Sequence, residues 1–133
     1  MEKIDHIGIA VKDLSVSIPL FEKLLNSLCF KKEKVDSEMV DTAFFKAGET
    51  KIELLESHGP SGIIAKFIEK KGEGLHHIAF EVSDIRGEMA RLKNEGFILL
   101  NEEPKNGADN KLVCFLHPKN TNGVLIELCQ ERS

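Results

Sequence analysis

The chain contains an imperfect internal repeat, and this repeat constrains the fold more than any other feature. Residues 4–11, IDHIGIAV, return 71 positions later as LHHIAFEV at residues 75–82. Farther along each copy, residues 51–55, KIELL, are matched by residues 125–129, LIELC. A sequence that repeats itself at such a period predicts two similar structural modules. Each module carries one histidine near its start and one glutamate near its end.

Hydrophobic periodicity predicts the same order of elements in both modules: a strand, a helix and three further strands. In module 1, about residues 1–56, strands are expected near 4–11, 29–35, 39–47 and 50–56. In module 2, about residues 74–133, they are expected near 75–83, 97–102, 111–117 and 123–130. Asp13 and Asp84 are the expected N-caps of the two helices.

Three residues make the expected boundaries of these elements more specific. Pro19 falls inside the first helical pattern, where a proline either kinks a helix or delays its start. Asn26 is expected to end that helix, because asparagine tolerates the left-handed cap position. Gly96 is expected to end the second helix.

The segment between the modules, about residues 57–73, belongs to neither copy. Ile63, Ile64, Phe67 and Ile68 have helical spacing, which predicts an extra connecting helix that packs near the site. A βαβββ module alone has exposed strand edges, so pairing of the two modules is expected. The predicted fold class is therefore α+β, with two paired βαβββ modules in one domain, 1–133, forming curved sheets around a metal-binding cavity.

Composition excludes several classes of protein. The 133 residues are 41% hydrophobic and 30% charged, which is typical of a folded globular chain. A net charge of −4 gives no general attraction to nucleic acid or to an anionic membrane surface. No apolar run approaches the roughly 20 residues needed to cross a bilayer, and the start lacks a secretory pattern, so a cytoplasmic location is expected. The three cysteines are expected to be buried and without chemistry, at Cys29, Cys114 and Cys129.

The repeated histidine and glutamate predict a metal site. The 71-residue offset pairs His6 with His77 rather than with His76, and Glu53 corresponds to Glu127. Two imidazoles and two carboxylates form a mixed nitrogen and oxygen ligand set, which suits Co²⁺, Ni²⁺, Zn²⁺, Mn²⁺ or Fe²⁺. A carboxylate within an apolar strand also needs a partner, because burying it alone is costly.

Other polar residues leave alternatives open. Asp41 is either a second acid/base group that faces the cavity or an exposed strand residue. His117 either orients a substrate or lies at the surface, and His58 is expected to be solvated. His76 is expected to be a neighbour of the ligands rather than a ligand itself.

These motifs resemble the vicinal oxygen chelate superfamily, which contains glyoxalase I, extradiol dioxygenases and bleomycin-resistance proteins. More narrowly, the chain resembles the methylmalonyl-CoA epimerase family. The resemblance spans nearly the whole length and is carried by DHIGIAV at 5–11, KIELLE at 51–56, GEGLHHIA at 72–79, FLHPK at 115–119 and NGVLIEL at 122–128.

The resemblance implies an isomerase that interconverts (2R)- and (2S)-methylmalonyl-CoA. It implies metal ligands at His6, Glu53, His77 and Glu127, with cobalt favoured, and removal of the C2 proton through a metal-chelated enolate. Inversion at C2 needs two acid/base groups, Glu127 and one near Asp41, where some members carry glutamate. Basic residues near the cavity mouth would contact the CoA phosphates, with candidates at Lys66, Lys70, Lys71, Lys105 and Lys119.

Two other functions remain open from the sequence. A glyoxalase I-like isomerase has the same ligand set, and a non-enzymatic small-molecule binding protein has the same fold without the ligands. The connecting helix and the GLHH segment at 74–77 favour the epimerase. Exposed module edges also predict a homodimer.

Overall fold

The computed structural model describes residues 1–132, which divide into two compact units. The first unit is His6–His76, and the second consists of Met1–Asp5 together with the chain from His77 onward. The connecting segment, assigned to neither module from the sequence, belongs to the first unit. The first five residues belong to the second unit, although they precede the first repeat.

The first unit contains a four-stranded arrangement and two helices. Its strands are β1 (Lys3–Ala10, from His6 onward), β2 (Lys31–Val35), β3 (Val40–Ala47) and β4 (Thr50–Ser57), in the order β2-β3-β4-β1. Strand β1 is parallel to β4, and the other neighbours are antiparallel. The helices are α1 (Leu14–Leu25) and α2 (Ile63–Lys71), and α2 lies within the segment between the modules.

Helix α1 begins and ends as the sequence predicts. The Asp13 carboxylate accepts a hydrogen bond from the Ser15 N–H at 2.9 Å, and Asn26 ends the helix with φ 51° and ψ 45°. Pro19 lies inside the helix, which already begins at Leu14, so the proline does not delay its start.

One face of the first unit's strands packs against α1. The core on that face contains Val11, Leu14, Ala43, Phe45 and Leu54. Because successive strand residues point to opposite faces, the residues between these core positions lie on the other face. The strand order therefore leaves one face of the unit for the core and the other for His6 and Glu53.

The second unit repeats this arrangement. Its strands are β5 (Gly74–Glu81, from His77 onward), β6 (Lys105–Asn106), β7 (Lys111–Leu116) and β8 (Ile126–Glu131), in the order β5-β8-β7-β6. Strand β5 is parallel to β8, as β1 is to β4. Helix α3 (Ile85–Asn94) covers one face with a core that includes Ile85, Met89, Leu92, Cys114 and Leu128.

The strand predicted near 97–102 is the one clear error in the element assignment. This segment makes only an isolated bridge, between Leu99 and Leu116. After this bridge, the Asn101 side chain takes the place of a backbone acceptor on the neighbouring strand. Its Oδ1 accepts a hydrogen bond from the Phe115 N–H at 3.2 Å. A side chain that occupies the ladder position ends strand pairing, and regular pairing resumes only in the two-residue strand β6.

The first five residues are held in the second unit by specific contacts. The Glu2 N–H donates a hydrogen bond to the Glu81 carbonyl at 2.8 Å. The Asp5 carboxylate lies 3.3 Å from the Lys111 Nζ, and both residues are buried. Burial lowers the pKa of Lys111, but the neighbouring Asp5 carboxylate and other acidic groups outweigh it, so the pKa is raised overall. Lys111 is therefore a buried cation with a matched anion.

The fold is α+β, as the repeat predicts. Within residues 1–132, no helix combines the length and the apolar character that crossing a membrane would require.

Candidate functional site

Each unit contains one buried histidine–glutamate pair on the face opposite its helix core. In the first unit, the His6 Nδ1 lies 3.2 Å from the Glu53 Oε2. Gly8 is aligned with Glu53 in the parallel β1–β4 pair, and His6 is two residues before Gly8. Residues two apart on a strand share a face, so the register brings this imidazole and this carboxylate together.

The second unit contains the equivalent pair. The His77 Nε2 lies 3.1 Å from the Glu127 Oε1, and Ala79 is aligned with Glu127 in the parallel β5–β8 pair. All four side chains of the two pairs are in residues only 3–5% exposed. The structure thus forms each pair that the repeat predicts, one within each unit.

His77 rather than His76 forms the pair, in agreement with the 71-residue offset. The His76 ring packs edge-on against Phe67 of α2, with ring centroids 4.9 Å apart. Adjacent strand residues point to opposite faces, so His76 cannot share the face of Glu127.

The two glutamates have the same kinds of neighbour. On one side of each lies a small residue, Gly8 or Ala79, and on the other a phenylalanine, Phe44 or Phe115. Each carboxylate thus has a small neighbour on one adjacent strand and an apolar aromatic neighbour on the other, and electrostatic interactions are stronger in apolar surroundings. The two phenylalanines are also 71 positions apart, but they are not among the residues that the motifs predict for the site.

The geometry of each pair fits two ligands on one metal ion. Zinc-like ions bind imidazole nitrogen and carboxylate oxygen at about 2.0–2.2 Å, so two ligands at roughly a right angle are about 3 Å apart. The observed separations of 3.2 and 3.1 Å match this value. A hydrogen bond between a histidine and a carboxylate has the same spacing. The ligand atoms, imidazole nitrogen and carboxylate oxygen, also suit a divalent ion of borderline hardness.

Asp41 does not share the face of the first pair. It is aligned with Glu56 on β4, whereas Phe44 is aligned with Glu53, and these positions belong to opposite faces. The Asp41 Oδ1 lies 2.9 Å from the His58 Nε2, and the Asp41 side chain is 43% exposed. The structure therefore places Asp41 with His58, which was expected to be solvated, rather than with Glu53.

The remaining candidates have local contacts. His117 accepts a hydrogen bond from the Lys119 N–H at 3.1 Å and thereby caps the turn Pro118–Asn120. Among the five lysines suggested for CoA, Lys105 has its Nζ 5.8 Å from the centroid of the Phe115 ring, beside Glu127. The first unit has an equivalent contact, since the Lys31 Nζ lies 5.0 Å from the Phe44 centroid.

Comparison with known proteins agrees with this architecture. Residues 5–115 match the family model of the Glyoxalase/Bleomycin resistance protein/Dioxygenase superfamily. The chain belongs to this superfamily.

Particular relatives are more specific. The chain is 40% identical to the ethylmalonyl-CoA/methylmalonyl-CoA epimerase of Cereibacter sphaeroides over 130 residues, covering 96% of this chain and 97% of that protein. It is 38% identical to the human mitochondrial methylmalonyl-CoA epimerase over 129 residues, covering 96% of this chain and 73% of that protein.

A solved structure gives the same result. A variant of Streptomyces coelicolor methylmalonyl-CoA epimerase, in complex with 2-nitronate-propionyl-CoA, superposes with a TM-score of 0.95 at 32% identity, covering 100% of this chain and 99% of that one.

Proposed function

We propose that this protein is a metal-dependent epimerase that interconverts (2R)- and (2S)-methylmalonyl-CoA. The observation that carries the proposal is the pair of matched histidine–glutamate contacts, one in each unit, in a chain whose relatives include methylmalonyl-CoA epimerases. Epimerisation at C2 requires removal of a proton from one face of the carbon and delivery of a proton to the other. A buried carboxylate with an aromatic neighbour is suited to the first of these steps.

Glu127 is the group to which we assign proton removal. Its carboxylate accepts the C2 proton, and its Oε1 lies 3.1 Å from the His77 Nε2 in the pair of the second unit. Ala79 leaves space for the substrate on one side, and Phe115 limits water on the other. Removal of the C2 proton leaves negative charge on the thioester oxygen, which needs stabilisation by a preorganised positive group.

His6, Glu53, His77 and Glu127 are the residues that we propose as ligands of one divalent ion. When bound, such an ion supplies Lewis-acid stabilisation of the charge that develops on the substrate oxygens. The mixed nitrogen and oxygen set suits cobalt, which we favour, and also nickel, zinc, manganese or iron.

The CoA part of the substrate needs cationic contacts, and Lys105 is the candidate with the best supported position. Its ammonium lies against the Phe115 ring, whose backbone is aligned with Glu127. A cation held over an aromatic face is oriented at little cost, and it attracts phosphate or carboxylate groups. A homodimer and a cytoplasmic location, both expected from the sequence, remain predictions.

The test is a direct assay of the metal-loaded protein. Incubation with (2R)-methylmalonyl-CoA in D₂O should incorporate deuterium at C2 and produce the (2S) isomer, followed by NMR and mass spectrometry. Glu127→Gln should lower turnover by roughly 10²–10⁴-fold, the usual contribution of a positioned proton-transfer group. Glu131→Gln is the matched control, because Glu131 ends the same strand and its side chain is 79% exposed.

Three results would each contradict a part of this proposal. Wild-type protein that gives neither exchange nor epimerisation with any of the five metals would eliminate the epimerase function. Turnover with methylglyoxal and glutathione instead would favour the glyoxalase I-like alternative. A fully active Glu127→Gln variant would remove Glu127 from the mechanism while leaving the function intact.

A further inference from the structure

Thr42 has a buried hydroxyl group with no hydrogen-bond partner. The residue is 1% exposed, and its Oγ1 has no partner among residues 1–132. Buried hydroxyl groups nearly always have a partner, because leaving one unpaired is unfavourable. An unpaired hydroxyl in such a position can bond to a group that is not part of the protein.

The strand register places Thr42 on the same face as the first histidine–glutamate pair. Thr42 is aligned with Leu55 on β4, and Phe44, two residues later, is aligned with Glu53. Thr42 is therefore the diagonal neighbour of Glu53, at a distance of about 7–8 Å for such positions in antiparallel strands. A small molecule beside Glu53 lies within reach of this hydroxyl.

The internal repeat indicates that packing does not require the hydroxyl. The position 71 residues after Thr42 is Val113, which occupies the same place in the second unit and is also buried. Valine and threonine are nearly equal in shape, so the apolar residue fills this position equally well. The hydroxyl is therefore a difference between the two units at a matched position. Epimerisation also differs between the two faces of C2, since one face loses a proton and the other gains one.

We propose that the Thr42 hydroxyl donates a hydrogen bond to a carboxylate or thioester oxygen of the bound acyl-CoA substrate. This proposal rests on the proposed function and adds a positioning contact to it. A neutral hydroxyl is too weak a base to remove the C2 proton. Its role is to orient the malonyl part of the substrate relative to Glu53.

The test compares Thr42→Val with Thr42→Ser. Loss of one hydrogen bond to a charged or developing charge lowers kcat/KM by roughly 10- to 100-fold. Thr42→Val should show this loss, and Thr42→Ser, which keeps the hydroxyl, should retain most of the activity. Without substrate, Thr42→Val should unfold at the same temperature as the wild type or higher, because it removes an unpaired polar group.

Thr121→Val is the matched control. The Thr121 hydroxyl has a partner, the Val124 carbonyl at 2.6 Å, so its removal should lower the unfolding temperature and leave kcat/KM unchanged. The two threonines should thus show opposite responses to the same substitution.

Each remaining outcome contradicts a separate claim. Active wild-type protein with an equally active Thr42→Val variant would overturn the role of Thr42 alone. A Thr42→Val variant that unfolds at lower temperature without substrate would show that the hydroxyl is structural. Wild-type protein without turnover would instead overturn the proposed function, and with it the substrate assumed for Thr42.

Discussion

Asp41 and Thr42 are adjacent in the sequence, but they lie on opposite faces of β3. Asp41 is on the side of the α1 core and pairs with His58, whereas Thr42 is on the side of His6 and Glu53. A shift of one residue along a strand reverses the face to which a side chain points. An acidic residue near the expected position is therefore weak evidence for a role in proton transfer.

The residue-scale prediction concerns Asp41. Asp41→Asn should change kcat/KM by less than about twofold, because the side chain lies on the face away from Glu53 and exposed ion pairs contribute only about 0–1 kcal/mol. Steady-state kinetics of epimerisation and a thermal melt check both parts. A loss of turnover comparable to that of Glu127→Gln would restore Asp41 as the second acid/base group and would contradict the assignment of faces.

At this scale, the sequence predicts some site residues well and others not at all. The two histidine–glutamate pairs follow from the repeat, because the first matched segments align His6 with His77 and the second align Glu53 with Glu127. Phe44 and Phe115 follow the same 71-residue offset, but aromatic residues in strands usually belong to a core and give no separate signal. The unpaired hydroxyl of Thr42 depends on its three-dimensional surroundings, which no local pattern encodes.

At the scale of elements, both main helices begin at an aspartate that follows a repeated strand. The Asp84 carboxylate accepts a hydrogen bond from the Gly87 N–H at 3.1 Å, and the Asp13 carboxylate accepts one from the Ser15 N–H at 2.9 Å. Each carboxylate satisfies a backbone donor that the helix leaves unpaired at its first turn. The repeat thus extends to the way in which each helix begins.

The element-scale prediction follows from these caps. Asp13→Ala and Asp84→Ala should each lower the free energy of unfolding by about 1 kcal/mol, the usual effect of removing an N-cap side chain. Urea denaturation followed by circular dichroism measures the change. Asp36→Ala is the matched control, since Asp36 begins the turn Asp36–Glu38, where no side-chain cap is present. Equal effects in all three variants would show that net charge, not capping, is responsible.

The segment 97–102 shows where prediction of elements fails. Its apolar residues have the composition of a strand, and the repeat calls for a strand at this place. Asn101 interrupts pairing because its side chain, rather than its backbone, takes the Phe115 N–H. Competition of this kind depends on which donor lies nearby, so periodicity alone cannot reveal it.

At the scale of the whole molecule, the repeat predicts the order of elements but not the division of the chain. The two βαβββ units follow directly from the self-similarity of the sequence, and the connecting helix follows from the helical spacing of apolar residues between the copies. The transfer of Met1–Asp5 to the second unit does not, because it depends on long-range contacts such as that between Asp5 and Lys111. Such contacts leave no periodic pattern.

The prediction at this scale concerns the response of the whole fold to alkaline pH. Burial raises the pKa of the Cys114 thiol from 9.0 to about 11. The unfolded chain therefore releases this proton at lower pH than the folded chain does. Stability from this group is complete below pH 9 and is lost as the pH rises towards about 11.

Chemical denaturation at a series of pH values between 9 and 11 measures this loss. Cys114→Ala is the control: it begins with lower stability because of the cavity, but its stability should fall less steeply over the same range. Identical slopes for the two proteins would assign the alkaline loss to other groups, such as Lys111.

The attachment of the first five residues to the second unit has a consequence for synthesis of the protein. The contact between Asp5 and Lys111 joins residues 106 positions apart. Asp5 is synthesised long before Lys111, the residue that it contacts. All residues of the first unit, His6–His76, are also synthesised before Lys111. Domains generally fold in the order of their synthesis. The first unit can therefore fold before Met1–Asp5 makes its contacts in the second unit. Strand β1, which begins at Lys3, is fully paired only after Lys111 has been synthesised.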